Sequence, residues 1–167
     1  MEKKLLLSSC LICFLFLNTS AQPAFDEKLK SLYRNTVPMI SVTELKNALL
    51  KKEKLVLLDT RTWEEYQVSH LPEANFIDYK KFSPHNLDTI DLRTPVVVYC
   101  SVGYRSERIG EKLIALGFRD VKNLYGGIFE WVNRGNSVVN VAGKPTENVH
   151  TYNRNWSQWL LKGVKVY

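Results

Sequence analysis

An α/β fold with a parallel sheet is predicted for this chain, and three observations predict it. Short strand-like runs stand at residues 55–58, which end at Asp59, and at 96–99 and 121–124. Between them lie segments whose apolar residues recur three and four apart, the helical period. Cap and turn residues separate the two patterns, so strands and helices alternate along the chain, as they do around a parallel sheet.

The elements follow in order. Ser41-Val42-Thr43-Glu44 is a capping box, serine at the cap and glutamate three residues on, and it opens a helix with Val42, Leu45, Leu49 and Leu50 as its apolar positions. Residues 55–58 then form a strand ending at Asp59. A short helix is expected over 62–68 with Trp63 and Tyr66 on one face, and a second strand over 74–77. Ser83-Pro84 pairs a cap residue with proline at the first helical position. Val96-Val97-Val98-Tyr99 is the clearest buried strand. The helix after it presents Ile109, Leu113, Ile114 and Leu116 and stops at Gly117. A strand over 121–124, a Gly126-Gly127 turn and a short helix over 128–133 complete the pattern. Residues 22–40 read as a lead-in punctuated by Pro23 and Pro38. Residues 140–167 read as an extension folded against the domain, because Tyr152, Trp156, Trp159 and Tyr167 are too many aromatics for a free tail.

The 167 residues suffice for one domain with short extensions, and 45% apolar with 24% charged residues is the composition of a soluble globular protein. The first 21 residues have a different character. Lys3 and Lys4 precede an apolar run over 5–17, and small residues stand at Thr19 and Ala21, so residues 1–21 are predicted to be a secretory signal cleaved before Gln22. Two alternatives stand beside this. An uncleaved anchor would be the chain's one link to a membrane, but the run falls short of the roughly 20 residues a spanning helix needs. A lipid-attachment box, Leu7-Ser8-Ser9-Cys10, matches in letters yet strands residues 11–17 behind it. Cleavage predicts an exported protein, periplasmic or extracellular. It removes Cys10 and Cys13 and leaves Cys100 with no partner for an internal disulfide. The formal charge of +6 becomes +5 once Glu2, Lys3 and Lys4 are gone. Scattered basic residues on an exported chain argue against nucleic acid as a partner and suit a small anionic substrate.

The segment that carries chemistry is Cys100-Ser101-Val102-Gly103-Tyr104-Arg105-Ser106, between a buried strand and a helix. Ligands of open α/β sheets sit beyond the carboxyl ends of the strands. A loop there that opens a helix turns several amide N–H groups toward one point, and a thiol at that point ionises more readily than a free one. Gly103 permits the tight path, and Arg105 puts a guanidinium where an oxyanion could sit. No histidine is needed, since His70, His85 and His150 all lie far from Cys100 in sequence. A buried core cysteine with a solvated Arg105 is the plainer alternative, and the strand-to-helix placement argues against it.

These residues resemble the rhodanese-like domain family over about residues 41–139. The resemblance is carried by Leu57-Leu58-Asp59-Thr60-Arg61, by Glu64-Glu65-Tyr66 with Ser69-His70-Leu71-Pro72-Glu73-Ala74, and by Val98-Tyr99-Cys100 with its loop. Leu116-Gly117-Phe118 and Leu124-Tyr125-Gly126-Gly127 through Trp131 extend it. The resemblance implies a five-stranded, mainly parallel sheet flanked by helices on both faces, with the active loop at its carboxyl edge. It implies that Cys100 is a sulfur-carrying nucleophile, that Ser101, Val102, Gly103, Tyr104, Arg105 and Ser106 form an amide cradle, and that Arg105 contacts the anion. Asp59 and Arg61 match the family's Asp-x-Arg pair, which serves either substrate contact or support of the loop, and His70 falls where a structural histidine is usual. Ser69 and Glu73 depart from the family by replacing common glycines.

The implied reaction is a double displacement without metal or organic cofactor. The Cys100 thiolate takes sulfur from thiosulfate or a persulfide donor, and a thiol or protein acceptor removes it. Two rivals remain. Related folds use a Cys loop on phosphoesters, but there the arginine follows after five residues, and Arg105 follows Cys100 after four. The other is a non-catalytic binding module, against which the presence of both Cys100 and Arg105 weighs.

Overall fold

The computed structural model describes residues 21–167. The predicted leader, with Cys10 and Cys13, lies outside those residues. Five strands, β1 (Met39–Ile40), β2 (Val56–Asp59), β3 (Asn75–Phe76), β4 (Val96–Tyr99) and β5 (Val121–Leu124), form one sheet in the order β1–β5–β4–β2–β3. Every neighbouring pair is parallel. The helices are α1 (Ala21–Leu32), α2 (Val42–Leu50), α3 (Trp63–Val68), α4 (Tyr104–Ala115) and α5 (Gly127–Asn133).

Side chains alternate across a strand, and here the alternation builds two cores. Val97 and Tyr99 of β4 join Leu57 and Leu124 on one face, under Phe25 and Leu29 of α1, Leu45 of α2 and Ile128 of α5. Val96 and Val98 join Leu58 and Val121 on the other, under Ile109 and Leu113 of α4. Helices therefore cover both faces, as expected, and β4 at the centre is buried along its whole length. The capping box at Ser41 forms as predicted, with both reciprocal hydrogen bonds.

The lead-in gains two elements, and three core positions need correcting. The lead-in over residues 22–40 is structured: it holds α1 and β1. Pro23 lies within α1 and does not prevent the helix from running on to Leu32. Phe25 and Leu29 stand four apart on α1 and are fully buried, each stabilising the fold by roughly 1.5–3 kcal/mol. Leu50, Ile114 and Leu116, predicted as core positions, are exposed. The inward stripes run through Val42, Leu45 and Ala48 on α2, and through Ser106, Ile109, Gly110 and Leu113 on α4, so small residues occupy part of the buried face.

Beyond residue 135 the chain makes two small pairs. β6 (Val138–Val139) is antiparallel to β7 (Pro145–Thr146), and β8 (Asn148–His150) is parallel to β9 (Val164–Val166). Val149 and Leu160 enter the same core as α1. Trp159 stacks on Phe25 with ring centroids 5.6 Å apart, which ties the two ends of the described chain together. Among the described residues no helix is long and apolar enough to cross a membrane.

The departure at Glu73 has a backbone consequence. Its φ is +63°, in the left-handed region that favours glycine, the residue common there in the resembled family. Glu73→Gly is therefore expected to raise stability by about 0.5–1 kcal/mol, read as a higher urea midpoint at unchanged slope. No change or a loss would show that the loop holds this conformation without strain.

Candidate active site

Cys100 follows β4 directly and is 1% exposed. The amide of Gly103 donates to its Sγ at 3.1 Å, and α4 starts at the next residue, so the helix N-terminus faces the sulfur. Gly103 has a φ of +98°, and a Cβ there would strike the ring of Tyr33. From behind, the amides of Ile128 and Phe129 donate to the carbonyls of Cys100 and Ser101 at 2.9 and 3.1 Å. Gly127 allows that approach, because a Cβ at this position would collide with the Cys100 and Ser101 main chain.

Polar side chains lock the loop from three directions. Tyr33 donates to the Val102 carbonyl at 2.6 Å and accepts from the Gly126 amide at 3.0 Å. Burial pushes its phenol well above the usual tyrosine range, so it remains a donor. Asn123 of β5 donates to the Gly103 carbonyl at 2.9 Å and accepts from Ser106 at 2.7 Å. Glu65 of α3 accepts from Ser101 Oγ at 2.9 Å and takes both ends of the Arg105 guanidinium at 2.7 Å each. Burial works to raise the Glu65 carboxyl, but its bonds to Arg105, with the charges of Arg105 and Arg61, bring it down to about 2. None of Tyr33, Glu65 and Asn123 was singled out for a role from the sequence. Thr62 and Glu65 do have capping-box spacing, and the box forms. Asn123 is a lone neutral polar group on a buried strand end, which is a signal for a side chain with fixed partners.

The expected site residues separate into groups. Cys100, Ser101, Val102, Tyr104 and Arg105 line one cavity of about 390 Å³. Ser106, expected in the cradle, is fully buried against Asn123 and faces the sheet instead. Arg105 is 15% exposed at its side chain, and its hydrogen-bonding edge is turned to Glu65 and Ser101 rather than left open for an anion. Asp59 and Arg61 form a two-pronged pair of fully buried side chains, and Arg61 also donates to the Ser69 carbonyl. The pair has no surface for substrate, and its further hydrogen bond goes to the Ser69 carbonyl and not to the Cys100 loop. His70 stacks on Tyr66, and its main chain bridges to Val139, away from the thiol.

The remaining wall of the cavity comes from parts of the chain that sequence reasoning gave no part in the site. Leu32 at the end of α1, Thr62 before α3, Tyr79 and Lys80 after β3, and Tyr152 and Trp156 after β8 complete it. Among the described residues no cluster of three or more His, Cys, Asp or Glu could hold a metal ion.

Comparison with known proteins agrees with this geometry. A thiosulfate sulfurtransferase GlpE of Coxiella burnetii is 31% identical over 83 residues, 50% of this chain and 77% of that protein. A tRNA uridine(34) hydroxylase of Streptococcus thermophilus is 37% identical over 111 residues, 62% of this chain but only 33% of that protein, so the same domain also serves inside a larger enzyme of different name. Among solved structures, a rhodanese-like domain protein from Staphylococcus aureus superposes with a TM-score of 0.52 at 33% identity, covering 56% of this chain and 90% of that one. The rhodanese-like domain pattern itself matches residues 41–134, a span that holds β2 to α5 and the whole Cys100 loop, while α1 and everything after residue 134 fall outside it. With more than half of the chain matched and the cysteine loop at the carboxyl end of the central parallel strand, the chain belongs to the rhodanese-like domain family.

Proposed function

We propose that the protein is a sulfurtransferase that carries sulfane sulfur as a persulfide on Cys100. The observation that carries this reading is the thiol at the floor of the cavity, with the Gly103 amide on its Sγ and the α4 N-terminus behind it. The Gly103 N–H, with the α4 N-terminus, is placed to donate to the terminal sulfur anion of a persulfide as well. In the first half-reaction the thiolate attacks the outer sulfur of a thiosulfate or persulfide donor. The new S–S bond forms as the old one breaks, and sulfite or a thiolate leaves with the electron pair. In the second, a thiol or protein acceptor takes the outer sulfur and the Cys100 thiolate returns. No redox partner or metal is consumed.

The loop also weighs against phosphoryl chemistry. Its arginine follows the cysteine after four residues, and both guanidinium ends are held by Glu65 and so are not turned to a phosphate. Export is part of the same proposal and rests on the apolar run over 5–17 with small residues at Thr19 and Ala21. It predicts that the chain recovered from the periplasm or medium begins at Gln22; a mass that retains residues 1–21 would contradict it.

The activity is tested by incubating the purified chain with a sulfane donor and cyanide and following thiocyanate. Turnover with thiosulfate or with any persulfide or thiosulfonate donor is the expected result. Absence of turnover with all of them would leave a binding module as the better reading.

A further inference from the structure

The walls of the cavity and its charge balance bear on what the donor must look like, and the inference drawn from them rests on the sulfurtransferase reading above. We propose that the site prefers a sulfane-sulfur donor carrying an apolar arm of about aromatic size, and disfavours thiosulfate.

Charge is the first observation. Thiosulfate is a dianion and would have to approach a thiolate. Two cations line the cavity: Arg105, which is matched in a two-pronged pair with Glu65, and Lys80, which stands exposed at the rim. Asp59 and Arg61 cancel one another in the interior. The arginines are therefore matched, and Lys80, the main-chain N–H groups and the helix end remain to offset a second negative charge. A site made for a small dianion needs unpaired cations at the reacting centre.

The second observation is the wall. Leu32, Val102, Tyr104, Tyr152 and Trp156 surround the approach to Cys100. Tyr152 is 54% exposed, and its ring lies 5.4 Å from the Arg105 guanidinium carbon, which shields that cation further. The volume, about 390 Å³, lies in the range of sites for organic ligands and far exceeds a five-atom ion. Leu32, Tyr152 and Trp156 come from segments outside the matched family span, so part of this wall lies beyond that pattern. Trp159 stacked on Phe25 holds the two added segments together.

An aryl thiosulfonate shows the balance. The Cys100 thiolate attacks the terminal sulfur of R–SO2–S⁻, and the Cys–S–S⁻ bond forms as the S–S bond to the sulfonyl group breaks. The pair leaves on the sulfinate R–SO2⁻, so both sides carry two negative charges and no oxidant is needed. The arm R occupies the aromatic wall while the anionic end meets the loop amides.

The test measures the rate of sulfur addition to Cys100 by intact mass from benzenethiosulfonate, methanethiosulfonate and thiosulfate. Each rate is divided by that of the same donor with a free thiol in solution, which removes intrinsic reactivity. The aryl donor is expected to exceed the methyl one by about tenfold or more, with thiosulfate slowest. Tyr152→Asn and Trp156→Ala should shrink the aryl-to-methyl ratio. Asparagine is chosen at Tyr152 because φ there is +65°, which asparagine tolerates. Equal normalised rates for aryl and methyl donors, thiosulfate as the fastest donor, or a ratio untouched by both substitutions would each overturn the preference and leave the activity standing. Loading from none of the three would overturn the activity and the preference with it.

Discussion

Replacing Cys100 by serine is expected to abolish sulfur transfer, lowering thiocyanate formation by at least about a thousandfold while leaving the fold intact. Serine is nearly isosteric and can still accept from the Gly103 amide, so the loop keeps its shape. It cannot hold a persulfide, because its hydroxyl remains protonated near neutral pH and would have to form an S–O bond to keep the sulfur. The measurement is turnover with the best donor beside a urea unfolding curve. Residual activity within tenfold of the parent would place the nucleophile elsewhere, and Cys100 is the free cysteine among the described residues.

The second large effect is expected at Glu65. This carboxylate joins three elements: it caps α3 through Thr62, holds Ser101 next to the nucleophile and pairs with Arg105 on α4. Glu65→Gln leaves the guanidinium with neutral acceptors only, and breaking a buried pair from one side costs about 3 kcal/mol. Turnover should fall as well, up to about a hundredfold, because the loop that aims the thiol loses an anchor. The pH dependence separates this pair from a purely steric effect. The carboxyl lies at about 2 in the folded chain against an ordinary 4.5. A depressed carboxylate contributes stability that is complete above about 4.5 and is lost as the pH falls toward 2, on the order of 3 kcal/mol here. The parent should lose its advantage over Glu65→Gln across that acid window, read as converging urea midpoints. Parallel curves down to the lowest pH at which the parent stays folded would contradict the ion-pair role.

Much of the matched domain was legible because each of its elements carries a local signal. The run at residues 96–99 can be buried only as a central strand, and the capping box at Ser41 fixes a helix start without reference to anything distant. The nucleophile was legible for a similar reason, since a lone cysteine at a strand-to-helix turn is a local pattern. What the sequence did not disclose depends on contacts between segments far apart in the chain. Tyr33 reads as an ordinary residue of a lead-in until Val102 and Gly126 fold beside its hydroxyl. Arg105 reads as a free anion contact because its partner Glu65 lies forty residues earlier. Ser106 counts as a loop residue in sequence but sits on the first turn of α4, where the helical period turns it to Asn123. The helix over Ala21–Leu32 is obscured in sequence by Pro23, a residue that weighs against a helix. The aromatics after residue 150 were recognised as packing residues, yet only the folded chain brings Tyr152 and Trp156 to the cavity.

The most direct measurement is the intact mass of the reduced protein before and after exposure to a sulfane donor, followed by cyanide. Addition of one sulfur atom to the parent, its absence in Cys100→Ser and its loss to cyanide with release of thiocyanate are the results expected of a persulfide carrier. A parent chain whose mass stays unchanged with every donor, or which gains sulfur equally after Cys100→Ser, would contradict the assignment of sulfur transfer to this cysteine.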